Sequence, residues 1–125
     1  MLPIDTVLGG TLSSTPQGVR LEVRLPWYRA LPLSTVEFEH LAIDGRDVPL
    51  DGGRLEIGGQ EFALADLAEL TDTFWYVLDS GYLTLPDLSP PPGSRCTVSL
   101  STVLYPPYIP GLRRVNTQTE TVPVN

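Results

Sequence analysis

The feature that most constrains this chain is a strict alternation early in it. Val19, Leu21, Val23 and Leu25 interleave with Arg20, Glu22 and Arg24, the period of two expected of a strand with one wet face. Thr15-Pro16-Gln17-Gly18 precedes it, with Pro at the second turn position and Gly at the fourth. Thr6 to Ser14 is therefore expected to pair with it as a hairpin.

The rest of the chain repeats this logic in short pieces. Between Thr35 and Ile43 the apolar residues sit on one parity at Val36 and Phe38 and on the other at Leu41 and Ile43. One extra residue near Glu39 or His40 would cause that switch, which predicts a β-bulge. Asp44-Gly45 suits the positive φ angles of a type I′ hairpin turn, and Gly58-Gly59 repeats the device between Arg54 to Ile57 and Gln60 to Leu64. Leu64, Leu67 and Leu70 recur every three residues, enough for one short helical segment. Thr73 to Leu78 and Tyr82 to Leu85 flank Asp79-Ser80-Gly81 and read as another hairpin. Pro86, Pro90, Pro91 and Pro92 with Gly93 make a loop. Arg95 to Tyr105 reads as a long central strand, and the Thr-rich Leu112 to Val122 as an edge strand.

Nine or ten short strands with turns between them define an all-β class: an antiparallel β-sandwich, immunoglobulin-like or jelly-roll-like, with at most one short helix. A length of 125 residues fits one domain spanning 1–125. No apolar run reaches the roughly 18 residues that cross a membrane. The first residues lack the charge and apolar core of a secretory signal, so the expected location is cytoplasmic. A formal charge of -7, with fifteen acids against eight Arg, disfavours nucleic acid and anionic membranes as partners.

The chemistry-bearing residues are few. His40 is the only histidine and Cys96 the only cysteine, which leaves no imidazole relay, disulfide or Cys/His zinc set. His40 reads as a structural residue at a strand irregularity, and Cys96 as a small hydrophobe in a strand. Asp66, Glu69 and Asp72 could gather like a cation site, but helix capping and solvation account for them more simply. The chain is therefore expected to hold no catalytic residue, metal ligand set or cofactor of its own.

Its connections instead carry aromatics and prolines: Pro26-Trp27-Tyr28-Arg29-Ala30-Leu31-Pro32-Leu33, Phe74-Trp75-Tyr76, and Tyr105 to Pro110. Trp, Tyr and Arg dominate binding hot spots. Trp27 and Trp75 serve equally well as plugs for the ends of a sandwich, yet three such segments together favour a partner-binding face.

At these segments the sequence resembles the small β subunit of bacterial C-glycoside deglycosidases, a β-sandwich family. The likeness rests on Val23-Arg24-Leu25-Pro26-Trp27-Tyr28-Arg29-Ala30-Leu31-Pro32-Leu33-Ser34, on Ile43-Asp44-Gly45, and on Leu70-Thr71-Asp72-Thr73-Phe74-Trp75. It implies a complex with a larger, metal-dependent TIM-barrel α subunit similar to sugar isomerases and epimerases, holding a divalent ion expected to be Mn²⁺. The implied substrate is a 3-oxo-C-glucoside of a flavonoid or other polyphenol. In such a complex a base on the barrel removes the C2 proton acidified by the keto group, the metal stabilises the enolate, and the aglycone leaves from C1. The resemblance and the loop aromatics together assign Trp27, Tyr28, Arg29, Tyr105 and Tyr108 to the α-subunit contact or the border of the aglycone pocket. The competing readings are a free-standing carbohydrate- or protein-binding module, in which the same aromatics stack on sugars, and a small enzyme built on paired carboxylates.

Overall fold

The computed structural model describes residues 8–16, 18–86, 88 and 90–125. These residues form eleven strands, in order β1 Leu8–Thr15, β2 Gly18–Val23, β3 Leu31–Pro32, β4 Val36–Ile43, β5 Arg46–Asp47, β6 Arg54–Ile57, β7 Gln60–Ala63, β8 Phe74–Trp75, β9 Gly81–Leu85, β10 Arg95–Leu104 and β11 Arg114–Pro123. They form a five-stranded sheet, β1-β2-β9-β6-β7, a four-stranded sheet, β11-β10-β4-β5, and a two-stranded pair, β3-β8. Every strand pairing is antiparallel. The fold is all-β, as the alternation predicts; three of the strands, β3, β5 and β8, are two residues long, too short for their periodicity to be read in sequence.

The core follows from the pairing. On the five-stranded sheet Leu12, Leu21 and Leu83 line up across β1, β2 and β9, with Val19 opposite Leu85 and Leu55 opposite Leu83. On the four-stranded sheet Ile43 faces Val98, Leu41 faces Leu100, and Val122 faces Cys96. All are buried in one apolar cluster. Residues of the two sheets thus fill a shared interior, the arrangement of two sheets packed face to face.

The bulge falls where the parity switch places it. Ser101 pairs with His40 but Thr102 pairs with Phe38, so Glu39 is the extra residue and both halves of β4 turn their apolar side chains inward. At the Asp44-Gly45 turn φ is 53° and 80°, and at Gly58-Gly59 it is 60° and 79°, the left-handed pairs of type I′ hairpins. The two hairpins are consecutive in sequence but belong to different sheets. Gly18 is held by space as well as angle: at φ +136° a Cβ there would lie 2.0 Å from the Leu85 carbonyl oxygen. Of the expected β1 partner segment, Thr6 and Val7 lie outside the described residues, as do Gln17 of the turn and Asp87 and Ser89 of the proline loop.

One hairpin expectation is corrected. Thr73 to Leu78 does not pair with Tyr82 to Leu85: β8 pairs with β3, and both edges of β9 are taken by β2 and β6. Trp75 is the cause. Its side chain is fully buried, in contact with the Phe38 ring at 6.4 Å. Its indole Nε1–H donates to the Asp79 carbonyl at 2.9 Å, and the Asp79 N–H donates to the Tyr76 carbonyl, so 76–79 folds into a turn instead of a strand. The helical content is likewise 3₁₀. Leu64–Glu69 forms the expected segment around buried Leu67, and an unforeseen one spans Leu33–Thr35. Main-chain bonds tie the pair together, from Leu33 N–H to the Thr73 carbonyl and from Ser34 N–H to that of Leu70.

The last strand lies at the edge of its sheet, and β10 lies between β11 and β4, both as expected. Beyond β11, Val124 bridges Leu12, and the Asn125 N–H donates to the Leu12 carbonyl. This seam joins the edges of the two large sheets. Among the described residues no helix is long and apolar enough to cross a membrane.

Candidate functional site

Strand β2 ends at Val23, and the chain crosses to β3 through Pro26-Trp27-Tyr28-Arg29. Proline fixes φ at the head of that crossing and proline at 32 ends it, which limits how far the intervening side chains can wander. After β10 the chain makes two consecutive turns, with Ile109 N–H donating to the Pro106 carbonyl and Leu112 N–H to that of Ile109. These turns project Tyr108 toward the crossing segment.

Four of the five residues singled out from sequence meet there. The Trp27 indole N–H donates to the Tyr108 hydroxyl, which in turn donates to that of Tyr28 at 3.5 Å. The Trp27 and Tyr28 rings lie 5.0 Å apart, and the Arg29 guanidinium lies 4.8 Å from the Tyr108 ring centroid. Trp27 is the anchor, only 8% exposed, while Tyr28 at 56% and Tyr108 at 42% are open to solvent. Burial and the hydrogen bond to Tyr28 push the Tyr108 phenol up, against the opposing pull of the Trp27 N–H and Arg29. Tyr108 therefore stays a neutral hydroxyl through the physiological range. A cation over an aromatic face adds roughly 0.5–1 kcal/mol at such exposed positions, which favours one arrangement of these side chains over many.

Arg114 completes the cluster and was not foreseen: its guanidinium lies 5.5 Å from the Trp27 ring. The signal was present, because Arg114 begins the Thr-rich strand on the parity of Val122, which points inward. Tyr105 stands apart. Its hydroxyl donates to Glu37 at 3.4 Å, and Arg113 is ion-paired to Glu39. Three features that could suggest other chemistry are accounted for locally. His40 Nε2 lies 2.8 Å from the Asp47 carboxylate on the neighbouring strand. Cys96 is buried, and burial together with Asp44 raises its thiol pKa, the opposite of what a reactive thiolate needs. Asp66, Glu69 and Asp72 are exposed, and among the described residues no three His, Cys, Asp or Glu side chains gather so as to hold a metal ion.

What this geometry can do is present a partly rigid aromatic and cationic surface built from two proline-framed connections. An all-β domain carrying such a surface on its loops is of a class suited to packing against another molecule. Comparison with known proteins narrows the class. The profile of the C-glycoside deglycosidase beta subunit family matches residues 10–108. The chain is 38% identical to the C-glycoside deglycosidase beta subunit of Microbacterium trichothecenolyticum over 87% of its own length and 82% of that protein. It is 35% identical to the 3'-dehydrocarminate deglycosidase beta subunit of a Microbacterium species, over 83% of its length and 78% of that protein. A C-glycoside deglycosidase beta subunit of Arthrobacter globiformis is also 35% identical, over 68% of this chain and 65% of that protein. The chain belongs to the C-glycoside deglycosidase beta subunit family.

Proposed function

We propose that this chain works as the β subunit of a heteromeric C-glycoside deglycosidase and leaves the bond-breaking chemistry to its partner. The observation that carries the reading is the convergence of Trp27, Tyr28, Arg29 and Tyr108 on one surface, in a chain of that family. The partner is a larger TIM-barrel α subunit, and the divalent cation, expected to be Mn²⁺, sits there. Among the described residues of this chain no ligand cluster gathers for it. The substrate is a 3-oxo-C-glycoside of a polyphenol; loss of the C2 proton beside the keto group and departure of the aglycone from C1 make the reaction a carbon-carbon elimination. The β chain contributes area and shape: Trp27 as a buried anchor, Tyr28 and Tyr108 as exposed rings, Arg29 as the cation that holds Tyr108. Tyr105, which stands apart from that cluster beside Glu37, is a separate point of contact with the α subunit. Solution in the cytoplasm, with neither nucleic acid nor membrane as partner, accords with the acidic charge.

The test is co-expression with a barrel subunit, followed by size-exclusion chromatography and an assay for aglycone release with Mn²⁺ present. The expected result is co-elution, with activity that neither chain has alone. Trp27→Ala and Arg29→Ala should each lower assembly or kcat/KM by about tenfold or more, the loss of a moderate hot spot. A β chain that stays monomeric beside the barrel, or variants that assemble and turn over like the wild type, would overturn the reading. A monomer that binds glycan unaided would replace it with the free-standing module.

A further inference from the structure

A concavity lies away from the loop aromatics. A groove of about 380 Å³ runs between β4, the Leu50-Asp51-Gly52 turn and the Leu64–Glu69 3₁₀ segment, with Tyr105 at its end. Its floor is apolar, from Val36, Phe38, Leu64 and Leu67, of which all but Leu64 are buried. Among the described residues two charges line it, Glu37 and Asp51, both exposed and both acidic, and no cation does. Glu37 accepts a hydrogen bond from the Tyr105 hydroxyl, a neutral donor.

The walls are built rather than left to chance. Gly53 N–H donates to the Leu50 carbonyl at 3.0 Å and Leu64 N–H to the Gly53 carbonyl at 3.0 Å, which fixes the turn against the 3₁₀ segment. Gly52 holds φ +75° within that turn, and a Cβ on Gly53 would meet the Leu85 and Leu64 side chains and the Leu50 carbonyl at 2.8–2.9 Å. Leu70 N–H closes the 3₁₀ segment on the Leu67 carbonyl, and Tyr105 N–H is bonded to the Thr35 carbonyl. The groove is thus present before anything enters it, which lowers the ordering cost of binding.

Water is a poor occupant for an apolar floor of this size, and the carboxylates at the rim decide what is a good one. An anionic group would be repelled, and a neutral apolar side chain would draw nothing from the two carboxylates. An Arg or Lys side chain matches both features, laying its methylene stem on the floor and its charge between Glu37 and Asp51. We propose that this groove is the socket for a cationic segment of the α subunit, an Arg or Lys side chain with an apolar neighbour. This inference rests on the subunit reading above and adds a second contact, on a different part of the surface from the Trp27 cluster.

Two measurements test it. The first titrates the full chain with benzamidine, an apolar cation, and with uncharged benzamide, following backbone amides by NMR. Saturable shifts at Gly52, Ala65 and Ala68 with benzamidine, about tenfold weaker with benzamide and about tenfold weaker in Glu37→Gln/Asp51→Asn, support the socket. Equal responses to both probes, or no change in the double variant, overturn it. The second measures association with the α subunit. Glu37→Lys/Asp51→Lys should weaken it at least tenfold while thermal unfolding stays at the wild-type temperature; unchanged association overturns the assignment of this occupant and leaves the Trp27 contact standing. Failure of the wild-type chain itself to associate fails the subunit reading, and the occupant named here falls with it.

Discussion

Single atoms decide several features of this protein. Thr102 sits just past the register shift, on the inward parity between Phe38 and Asn116, and is fully buried. Among the described residues its hydroxyl has no hydrogen-bond partner, and an unsatisfied buried hydroxyl costs roughly 1–3 kcal/mol. Thr102→Val keeps the shape and removes the hydroxyl, so it should raise the unfolding free energy by about 1 kcal/mol, read as a shift in urea midpoint at constant slope. At this scale the sequence was a mixed guide to the candidate site. Trp27, Tyr28, Arg29 and Tyr108 could be singled out by residue type and by their place in proline-framed loops. That Tyr105 would turn away toward Glu37 was not readable, because its direction is set by the bond from its N–H to the Thr35 carbonyl across the fold. Arg114 was missed because a charged residue at the start of a polar strand reads as solvated until the strand's facing is known.

Among the elements, β4 is the most revealing. Its two halves present apolar residues on opposite parities, and Glu39 reconciles them. Removing Glu39 would leave Val36, Phe38, Leu41 and Ile43 in uninterrupted alternation, at the cost of the ion pair with Arg113 and the local twist of the bulge. That deletion should therefore fold with a loss of about 1–2 kcal/mol. Removing Ala42 instead would put Leu41 and Ile43 next to each other and turn one of them to water, a loss of about 3 kcal/mol or more. Thermal unfolding followed by tryptophan fluorescence separates the two; equal losses would show that the bulge does more than keep parity. The bulge, both Asp-Gly and Gly-Gly hairpins and the edge placement of β11 were legible because each rests on a local rule of alternation or φ. The β3–β8 pair was not, since two-residue strands have no period and their pairing depends on where Trp75 is buried.

At the scale of the whole molecule the acidic balance sets the solution behaviour. A formal charge of -7 with a pI near 4.4 keeps copies apart at neutral pH and removes that repulsion as the carboxylates protonate. Solubility should pass through a minimum near pH 4.4, measured by turbidity and light scattering, and recover on either side. A minimum elsewhere would mean that a large share of the carboxylates titrate far from their ordinary range. The order of the strands along the chain has a further consequence, for biosynthesis. All five strands of the larger sheet precede residue 86, whereas β10, which joins β11 to β4, begins only at Arg95. As the chain leaves the ribosome, the apolar face carrying Leu21, Leu55, Leu83 and Leu85 can form before the sheet that covers it exists. Until β10 and β11 emerge, a nascent chain of this protein carries an uncovered greasy surface, the state in which holdase chaperones bind and in which crowded polysomes stick together.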